Sequence, residues 1–258
     1  MKDFIVFEVK KNRYAIDLEF IQRIAQIPVV TDIPNSHGYI DGMISYENRI
    51  IKIVNFRKMT HICTYDDELK DIFIDLKNQH TRWVETLGES IKNGVEFHLT
   101  TNPHHCNLGK WLDAFASYDD QIISILKELN NFHKQLHQSA IAILNLAKVD
   151  KDIAMKQYES SIVALYDITM RHLDQFIAKF DVVANSLQKL LLYQTGSGFF
   201  AIKVDEIIDI VHIETKLLEN INNTHEVSEF LELEGVVEID NTLVSVIKSI
   251  KLPMKEVA

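Results

Sequence analysis

The amino-acid sequence predicts an α+β protein of more than one domain, in which two small β-barrels flank an inserted helical bundle. Both ends of the chain alternate apolar and polar residues in short runs, which is typical of strands. In the middle, apolar residues recur every three or four positions, which is typical of amphipathic helices. With 258 residues, 47% of them hydrophobic, the chain can build more than one core. The expected domains are residues 1–62 and 189–258 for the β halves and 63–188 for the insert.

Turn residues separate the predicted strands. Runs such as FIVFEV and YAIDL in the first half, and LLLYQ and FFAIKV in the second, have the length and apolar content of strands. Asp240-Asn241 suits a tight hairpin, because Asn and Asp adopt positive φ at low cost.

The two ends of the chain also resemble each other. Residues 14–19 match residues 200–205 at four apolar positions and one acidic position, and residues 42–48 match residues 235–241. Chance similarity between two alternating regions is the alternative explanation. The shared glycine and the shared acid-Asn turn favour a true internal repeat. We therefore expect two similar small barrels or curled sheets.

The spacing of apolar residues from residue 66 to about residue 190 predicts three long helices. They are expected to begin after Asp66-Asp67, Asp119-Asp120 and Asp150, because acidic residues suit helix N-termini. Pro103 is the only proline in this region. Long amphipathic helices with few breakers form bundles, so the insert is expected to be a self-contained helical domain.

Composition argues against several classes of protein. The net charge is −10 and no basic stripe occurs, so a nucleic-acid ligand is not expected. Two cysteines do not make a disulfide framework, which favours a reducing compartment. The charged, alternating N-terminus does not resemble a signal peptide, and no apolar run reaches the ~18 residues of a membrane span. We expect a soluble cytoplasmic protein without membrane insertion.

Three histidines point toward the predicted helical core. His80 lies on the apolar stripe of the first helix, and His133 and His137 lie four residues apart on the buried face of the second. A buried imidazole loses its hydration unless it finds a partner, and one metal ion supplies a partner for all three. With Cys106 the set becomes three nitrogens and one thiolate, which suits tetrahedral Zn2+.

Each of these residues also has a simpler interpretation. A histidine on a helix face is commonly a core or surface residue, and a buried cysteine is commonly a small hydrophobic residue. Cys106 could equally be a nucleophile or pair with Cys63. His105 and His172 are spare candidates for metal ligation. Cys63 lies before the first helix and is expected to be an ordinary thiol.

The spacing of the candidate ligands resembles the chemoreceptor zinc-binding (CZB) domain. The similarity covers roughly residues 66 to 185, and its motif reads His80-x-x-Trp83, Cys106-x-Leu108-Gly109-x-Trp111 and His133-x-x-x-His137. In that family the first His, the Cys and the two later His bind zinc in a helical bundle. The resemblance implies that the zinc ligands are His80, Cys106, His133 and His137. It implies a scaffold for the site formed by Trp83, Leu108, Gly109 and Trp111.

The flanking halves resemble the CheW family of chemotaxis coupling proteins, which consist of two small β-barrels. The similarity lies in residues 38–44, 53–57 and 200–207. The family's fold is therefore expected at both ends of this chain, with the zinc-binding insert between them.

The sequence departs from the CheW pattern at several positions. Lys52 stands where the family usually has Pro, Asn55 where it has Asp, and Glu47-Asn48 where Arg-Gly is common. These departures put the family's partner contacts in doubt for this chain. Arg57 is the expected partner-binding residue by its position in the motif, and a solvated charge at a strand end is the alternative.

Together the two resemblances imply a cytoplasmic chemotaxis adaptor that links the cytoplasmic tips of chemoreceptors to the histidine kinase CheA. The inserted domain would sense zinc or oxidants, because a zinc-bound cysteine is held as the thiolate that oxidants attack. Loss of Cys106 as a ligand would release the helices held by the histidines. The alternatives are an adaptor with a purely structural zinc, and a zinc-binding protein whose CheW-like halves no longer bind the kinase.

An enzyme is not expected. His133 and His137 have the spacing of a zinc protease helix, but Lys134 stands where the general-base Glu would lie. Four protein ligands would also leave no open position for water or substrate. The resemblance to zinc-binding domains that dimerise in receptors makes a homodimer an open expectation.

Overall fold

The computed structural model describes residues 2–196, 198–214 and 230–252. The strands are β1 (Lys2–Val9), β2 (Asn12–Asp17), β3 (Ile21–Gln26), β4 (Ile40–Tyr46), β5 (Arg49–Asn55), β6 (Lys189–Thr195), β7 (Gly198–Val204), β8 (Glu206–Ile213), β9 (Leu231–Ile239) and β10 (Thr242–Ile250). The helices are α1 (Phe56–Met59), α2 (Tyr65–Asn93), α3 (Asn107–Ala114), α4 (Asp120–Ala147), α5 (Lys151–Gln157), α6 (Val163–Ile177) and α7 (Phe180–Leu187). The chain divides into two compact units: residues 1–65 with 184–258, called the sheet unit, and residues 66–183, called the helical unit.

The sheet unit contains two five-stranded sheets with the same construction. The strand orders are β8-β1-β2-β10-β9 and β3-β6-β7-β5-β4. In each sheet the only parallel pair among the described strands is central, β2 with β10 and β7 with β5, and the other pairs are antiparallel. The repeat inferred from the sequence aligns β2 with β7 and the β4–β5 hairpin with the β9–β10 hairpin, and these strands take equivalent places in the two sheets.

Each sheet combines strands from both ends of the chain. The first receives β1 and β2 from the N-terminal part and β8, β9 and β10 from the C-terminal part; the second receives β3, β4 and β5 together with β6 and β7. We expected two small β-barrels or curled sheets, one from each end. Two sheets are present, but among the described residues neither is a closed barrel, and each takes strands from both ends of the chain. Alternation in sequence fixes which face of a strand is buried, but not which strand it pairs with, so the exchange was not predictable from the pattern.

Three hairpin turns carry paired residues with positive φ. They are Lys10-Lys11 (45° and 66°), Glu47-Asn48 (47° and 62°) and Asp240-Asn241 (50° and 58°). Two successive left-handed residues match the twist of the flanking strands in a tight hairpin. The turn predicted at Asp240-Asn241 is confirmed.

The largest apolar cluster lies between the two sheets. It joins Phe7 and Ile16 of the first sheet to Tyr193 and Ile202 of the second, and all four are at most 1% exposed. Each sheet also buries residues on its other face, in a smaller cluster made of its own strands. Burial on both faces explains why residues 4–7 of β1 form a continuous apolar run.

The helical unit is built from long amphipathic helices, as the sequence predicted. The Asp119 carboxylate accepts from the Gln121 and Ile122 amides at the start of α4, and Asp150 accepts from the Ile153 amide at the start of α5. The predicted acidic caps at these two helices are confirmed. Among the described residues, no helix is both long enough and apolar enough to cross a membrane.

The third predicted helix is interrupted rather than continuous. A π-helical turn at Tyr158–Ile162 separates α5 from α6, and α7 begins again at Phe180. The Tyr158 hydroxyl donates to the Val84 carbonyl of α2 at 3.0 Å, and a Cβ on Gly88 would lie 2.7 Å from the Tyr158 ring. The widened turn thus accompanies close packing of Tyr158 on α2, which periodicity alone does not reveal.

We predict that Lys11→Gly stabilises the protein. Lys11 has a φ of 66°, and the left-handed conformation costs a β-carbon-bearing residue about 1 kcal/mol, whereas glycine adopts it freely. Urea unfolding is expected to show a gain of about 0.5–1 kcal/mol. Lys52→Gly, in strand β5, is the matched control and is expected to destabilise. An unchanged or lower stability of Lys11→Gly would contradict the turn assignment.

Candidate metal centre

Four side chains that are distant in sequence meet inside the helical unit. His80 lies on α2, His133 and His137 lie one turn apart on α4, and Cys106 is the residue before α3. One ligand atom from each lies within 4.8 Å of the others. The structure therefore brings together all four of the candidate ligands that the sequence singled out.

The distances between the donor atoms suit one small cation. His80 Nε2 lies 3.2 Å from His133 Nε2, and Cys106 Sγ lies 3.2 Å from His133 Nε2 and 3.8 Å from His80 Nε2. Tetrahedral zinc, with its usual bond lengths to nitrogen and sulfur, separates such ligands by roughly 3.3–3.6 Å. The set of three nitrogens and one sulfur is also the kind that zinc prefers.

The imidazoles are buried without enough protein partners. His133 and His137 are fully buried and His80 is 3% exposed. His133 Nδ1 and both ring nitrogens of His137 have no hydrogen-bond partner among the described residues. His80 Nδ1 donates to the Leu76 carbonyl at 2.9 Å, which leaves its Nε2 lone pair facing the cluster. Orphaned nitrogens around a shared centre are what a metal site requires, so the residues fit zinc.

Burial also sets the protonation states of the histidines. Desolvation, followed by repulsion from the neighbouring histidines, lowers the pKa of His133 to about 2. Desolvation, followed by repulsion from His80, lowers the pKa of His137 to about 4, and desolvation lowers the pKa of His80 as well. All three rings are therefore neutral near pH 7, which is the form that binds a metal ion.

The Cys106 thiol is held by its own loop. Its Sγ accepts from the Gly109 amide at 3.2 Å, capping α3, and donates to the Pro103 carbonyl at 3.3 Å. Burial raises the pKa of Cys106, although the Gly109 amide opposes this effect. Without a metal the thiol keeps its proton at neutral pH, so metal binding is expected to release it.

Gly109 allows this loop to close. A Cβ on Gly109 would lie only 1.7 Å from the Pro103 carbonyl oxygen. No side chain fits at that distance, so the Pro103–Cys106 turn can pack on the start of α3 only because residue 109 is glycine. This contact gives the expected scaffold role of Gly109 a physical basis.

The other three expected scaffold residues lie around the cluster. Trp83 Nε1 donates to the Thr100 carbonyl at 2.8 Å, and the ring centroid of Trp83 lies 4.6 Å from that of His137. Leu108 is fully buried. Trp111 packs edge-on against Phe73 of α2, with centroids 4.7 Å apart. Trp83 thus ties the segment before Cys106 to α2, and Trp111 anchors α3.

The sequence analysis missed that residues 107–114 form a helix and that aromatic residues surround Trp111. The Trp111 ring stacks on Phe115 at 4.6 Å and meets Phe176 at 5.5 Å. The spacing of four residues between Trp111 and Phe115 was a usable signal for helix α3. The contact with Phe176 joins distant segments and had no local signal.

A cavity of about 350 Å³ reaches the cluster from outside. Its lining includes His80, Cys106, Trp83, Arg82 and His105. Cys106 is only partly buried, whereas His133 and His137 are fully buried. Cys106 and His80 are the two cluster residues that border this cavity.

The spare candidates lie outside the cluster. Neither His105 nor His172 belongs to the set of four among the described residues, and the His172 ring stacks on Phe132 with centroids 5.1 Å apart. Both cysteines are free, and Cys63 is exposed in the sheet unit, with Lys10 Nζ 3.2 Å from its Sγ. A disulfide between Cys63 and Cys106 is therefore excluded in this structure.

The structure does not place Arg57 at a surface. Its side chain is 2% exposed, and Nη2 lies 2.6 Å from Asp205 Oδ2. Its guanidinium also donates to the Cys63 carbonyl at 3.0 Å. The position expected of a partner contact is thus occupied by a buried structural cation. The CheW-like motif singled out Arg57, and the structure gives this residue a buried ion pair with Asp205 in place of a surface position.

Comparisons with known proteins agree with both resemblances. The family described as chemoreceptor zinc-binding domain matches residues 80–144, and the family described as CheW-like domain matches residues 3–83. Chemotaxis protein CheW of Thermotoga maritima is 29% identical over 76 residues, which is 29% of this chain and 50% of that protein. The chain thus spans half the length of this curated relative.

Among solved structures, the chain is similar to the crystal structure of scaffolding protein TtCheW from Thermoanaerobacter tengcongensis. The two share 10% identity with a TM-score of 0.46, over 96% of this chain and 88% of that one. The two family matches confirm the resemblance to CheW-like and chemoreceptor zinc-binding domains. The match to the chemoreceptor zinc-binding domain, together with the four-residue cluster, confirms zinc as the cofactor.

We predict that Gly109→Ala impairs the metal centre. The added methyl group would overlap the Pro103 carbonyl oxygen, so the Cys106 turn must move. Zinc affinity, measured by competition with a chromogenic chelator, is expected to fall at least about tenfold, because a displaced ligand weakens the site. Gly38→Ala is the control, because a Cβ at Gly38 meets nothing within 4 Å. Equal zinc affinity in the two variants would contradict the packing described for Gly109.

We predict that the metal-free protein loses stability in mild acid. The folded-state pKa values of His133 and His137, about 2 and about 4, lie below the unfolded value of 6.5. The unfolded chain therefore binds more protons below about pH 6.5, and stability falls as the pH decreases through that value. Each histidine contributes roughly 1.4 kcal/mol per pH unit.

The measurement is urea unfolding of metal-free protein at pH 7.5 and 5.5, followed by helical circular dichroism. His137→Gln removes one of the two histidines, so its loss of stability between these pH values is expected to be smaller than that of the wild type. A wild-type stability that stays constant across the interval would show that the imidazoles are not buried as described.

Proposed function

We propose that this protein is a cytoplasmic, non-catalytic chemotaxis adaptor whose coupling is controlled by an inserted zinc-binding domain. Residues 63–188 would be the insert, and residues 1–62 and 189–258 would form the CheW-like body. The division of the chain near residues 65 and 184 supports these bounds. The expected partners are the CheA histidine kinase and the cytoplasmic tips of chemoreceptors.

The observation that carries the proposal is the succession of two family matches in one chain. A CheW-like match over residues 3–83 is followed by a chemoreceptor zinc-binding match over residues 80–144, and the second contains the four-residue cluster. CheW-like proteins act through surface contacts, and the chemoreceptor zinc-binding domain adds a metal. An adaptor with a built-in zinc site is the simplest function that uses both parts.

The zinc ligands in this proposal are His80, Cys106, His133 and His137. When bound, zinc supplies positive charge that holds Cys106 as a thiolate, and thiolates are the cysteine form that oxidants attack. The cavity beside Cys106 gives small molecules a route to the sulfur, whereas His133 and His137 have no exposed surface. Cys106 is therefore the ligand through which oxidants are proposed to act.

A catalytic role for the metal is not proposed. Four protein donor atoms already surround the centre, and a tetrahedral ion held by all four has no position left for substrate. Lys134, which follows His133 on α4, cannot act as the carboxylate base of a zinc protease.

The test is calorimetric binding of the full-length protein to the regulatory domain of its own CheA kinase, with zinc bound and after chelation. We expect the two affinities to differ at least about fivefold, since allosteric coupling of this kind typically spans that range. Equal affinity in both states would instead indicate an adaptor with a structural zinc. The absence of binding in both states would refute the adaptor function.

Two histidine variants control for nonspecific effects of the chelator. His133→Gln is expected to behave like the chelated wild type, because it removes a ligand from the cluster. His172→Gln is the control, because His172 is a helical histidine too, although only partly buried, and lies outside the cluster. If the two variants behave alike, the zinc dependence does not arise at this centre.

A further inference from the structure

Arg57 and Asp205 form a buried ion pair in the sheet unit. Arg57 Nε lies 2.8 Å from Asp205 Oδ1, and Nη2 lies 2.6 Å from Oδ2, so the two groups meet in a parallel, two-point contact. The side chains are 2% and 10% exposed. A pair so well shielded and so well aligned holds its geometry more firmly than a surface ion pair does.

Arg57 also holds the segment through which the chain leaves the sheet unit. Nη1 donates to the Cys63 carbonyl at 3.0 Å, and the guanidinium carbon lies 4.7 Å from the centre of the Tyr65 ring. Tyr65 is the first residue of α2. The guanidinium therefore contacts both the last residues of the outgoing connection and the beginning of the helix that follows.

Asp205 holds the segment through which the chain returns. Its Oδ1 accepts from Gln188 Nε2 at 2.9 Å, and Gln188 is 1% exposed. Gln188 directly follows α7, which ends at Leu187. A second contact fastens the same helix, because Lys203 Nζ donates to Asn185 Oδ1 at 2.7 Å. The outgoing and returning connections are thus fixed by one ion pair.

Two helices have one end beside this ion pair and the rest of their length in the helical unit or at its boundary. Helix α2 runs unbroken from Tyr65 to Asn93 and carries His80. Helix α7 begins at Phe180, whose ring packs against Phe73 of α2 and Phe176 of α6 in the helical unit. A change at His80 therefore has a path along α2 to Tyr65, the residue whose ring the Arg57 guanidinium contacts.

We propose that the Arg57–Asp205 pair is the junction through which the zinc state of the helical unit reaches the sheet unit. The two residues are positioning residues: they touch neither the metal ligands nor, by their burial, an external partner. This inference rests on the proposed function, because it states how zinc would regulate the adaptor. It assigns the regulation to two residues that no zinc-ligand motif includes.

The test uses Arg57→Lys, which keeps the charge but cannot make the two-point contact, and Gln188→Leu, which leaves the ion pair intact and removes only the returning contact. Both variants are expected to bind zinc like the wild type, because all four candidate ligands lie in the helical unit. The ratio of kinase affinities with and without zinc is expected to fall to within about twofold of one. Lys58→Gln, which removes a neighbouring ion pair with Asp41, is the control and should keep the wild-type ratio.

A second measurement does not depend on the kinase. Hydrogen exchange of the wild type, with zinc and after chelation, should show a change in amide protection at residues 62–65 and 186–189. In the wild type the change should extend from the connections into β5 and β7, and in Arg57→Lys and Gln188→Leu it should be absent from these two strands. Two results would overturn the proposal. One is that chelation leaves the amides at both connections of the wild type unaffected, and the other is that the variants keep the full zinc-dependent ratio of affinities.

The two measurements separate the inference from the function on which it rests. If the wild type binds the kinase equally well with and without zinc, the regulatory function fails, and the exchange data alone decide whether the junction transmits the zinc state. If Arg57→Lys fails to fold, Gln188→Leu still decides the question, because it leaves no buried charge without its partner.

Discussion

The burial of three imidazoles around one thiol is the constraint on which the helical unit depends. His80, His133 and His137 are withdrawn from water, and their nitrogens find too few partners among the described protein groups. Such an arrangement is costly for the protein alone and becomes favourable when one cation satisfies all the donors. A bound metal would thereby join α2, α4 and the start of α3, in addition to the apolar contacts that these segments already make.

A second constraint operates in the sheet unit, where the two halves of the repeat exchange strands. In each sheet a parallel pair, β2 with β10 or β5 with β7, joins a hairpin from one part of the chain to a hairpin from the other. The N-terminal and C-terminal segments therefore do not form two independent domains. They build one compact unit whose two sheets each contain strands from before and after residues 66–183.

These two constraints meet at the connections. Because the sheet unit requires both of its chain segments, residues 63–65 and 184–188 must be fixed at the same place, and Arg57 and Asp205 provide the contacts that fix them. One candidate zinc ligand, His80, lies on α2, the helix that begins at the outgoing connection. The regulation proposed above therefore requires no partner to contact the metal.

The helical region, the acidic caps of α4 and α5, the hairpin turn at Asp240-Asn241 and the four candidate ligands were predictable from the sequence. These features are encoded by residue type at short or fixed spacing, so local periodicity and motif spacing suffice to find them. Three other features became visible in the folded structure: the open sheets that exchange strands, the contact of Gly109 with the Pro103 carbonyl, and the burial of Arg57 against Asp205. Each of these depends on which distant segment lies opposite a given residue, and alternation or charge in one segment does not specify its partner.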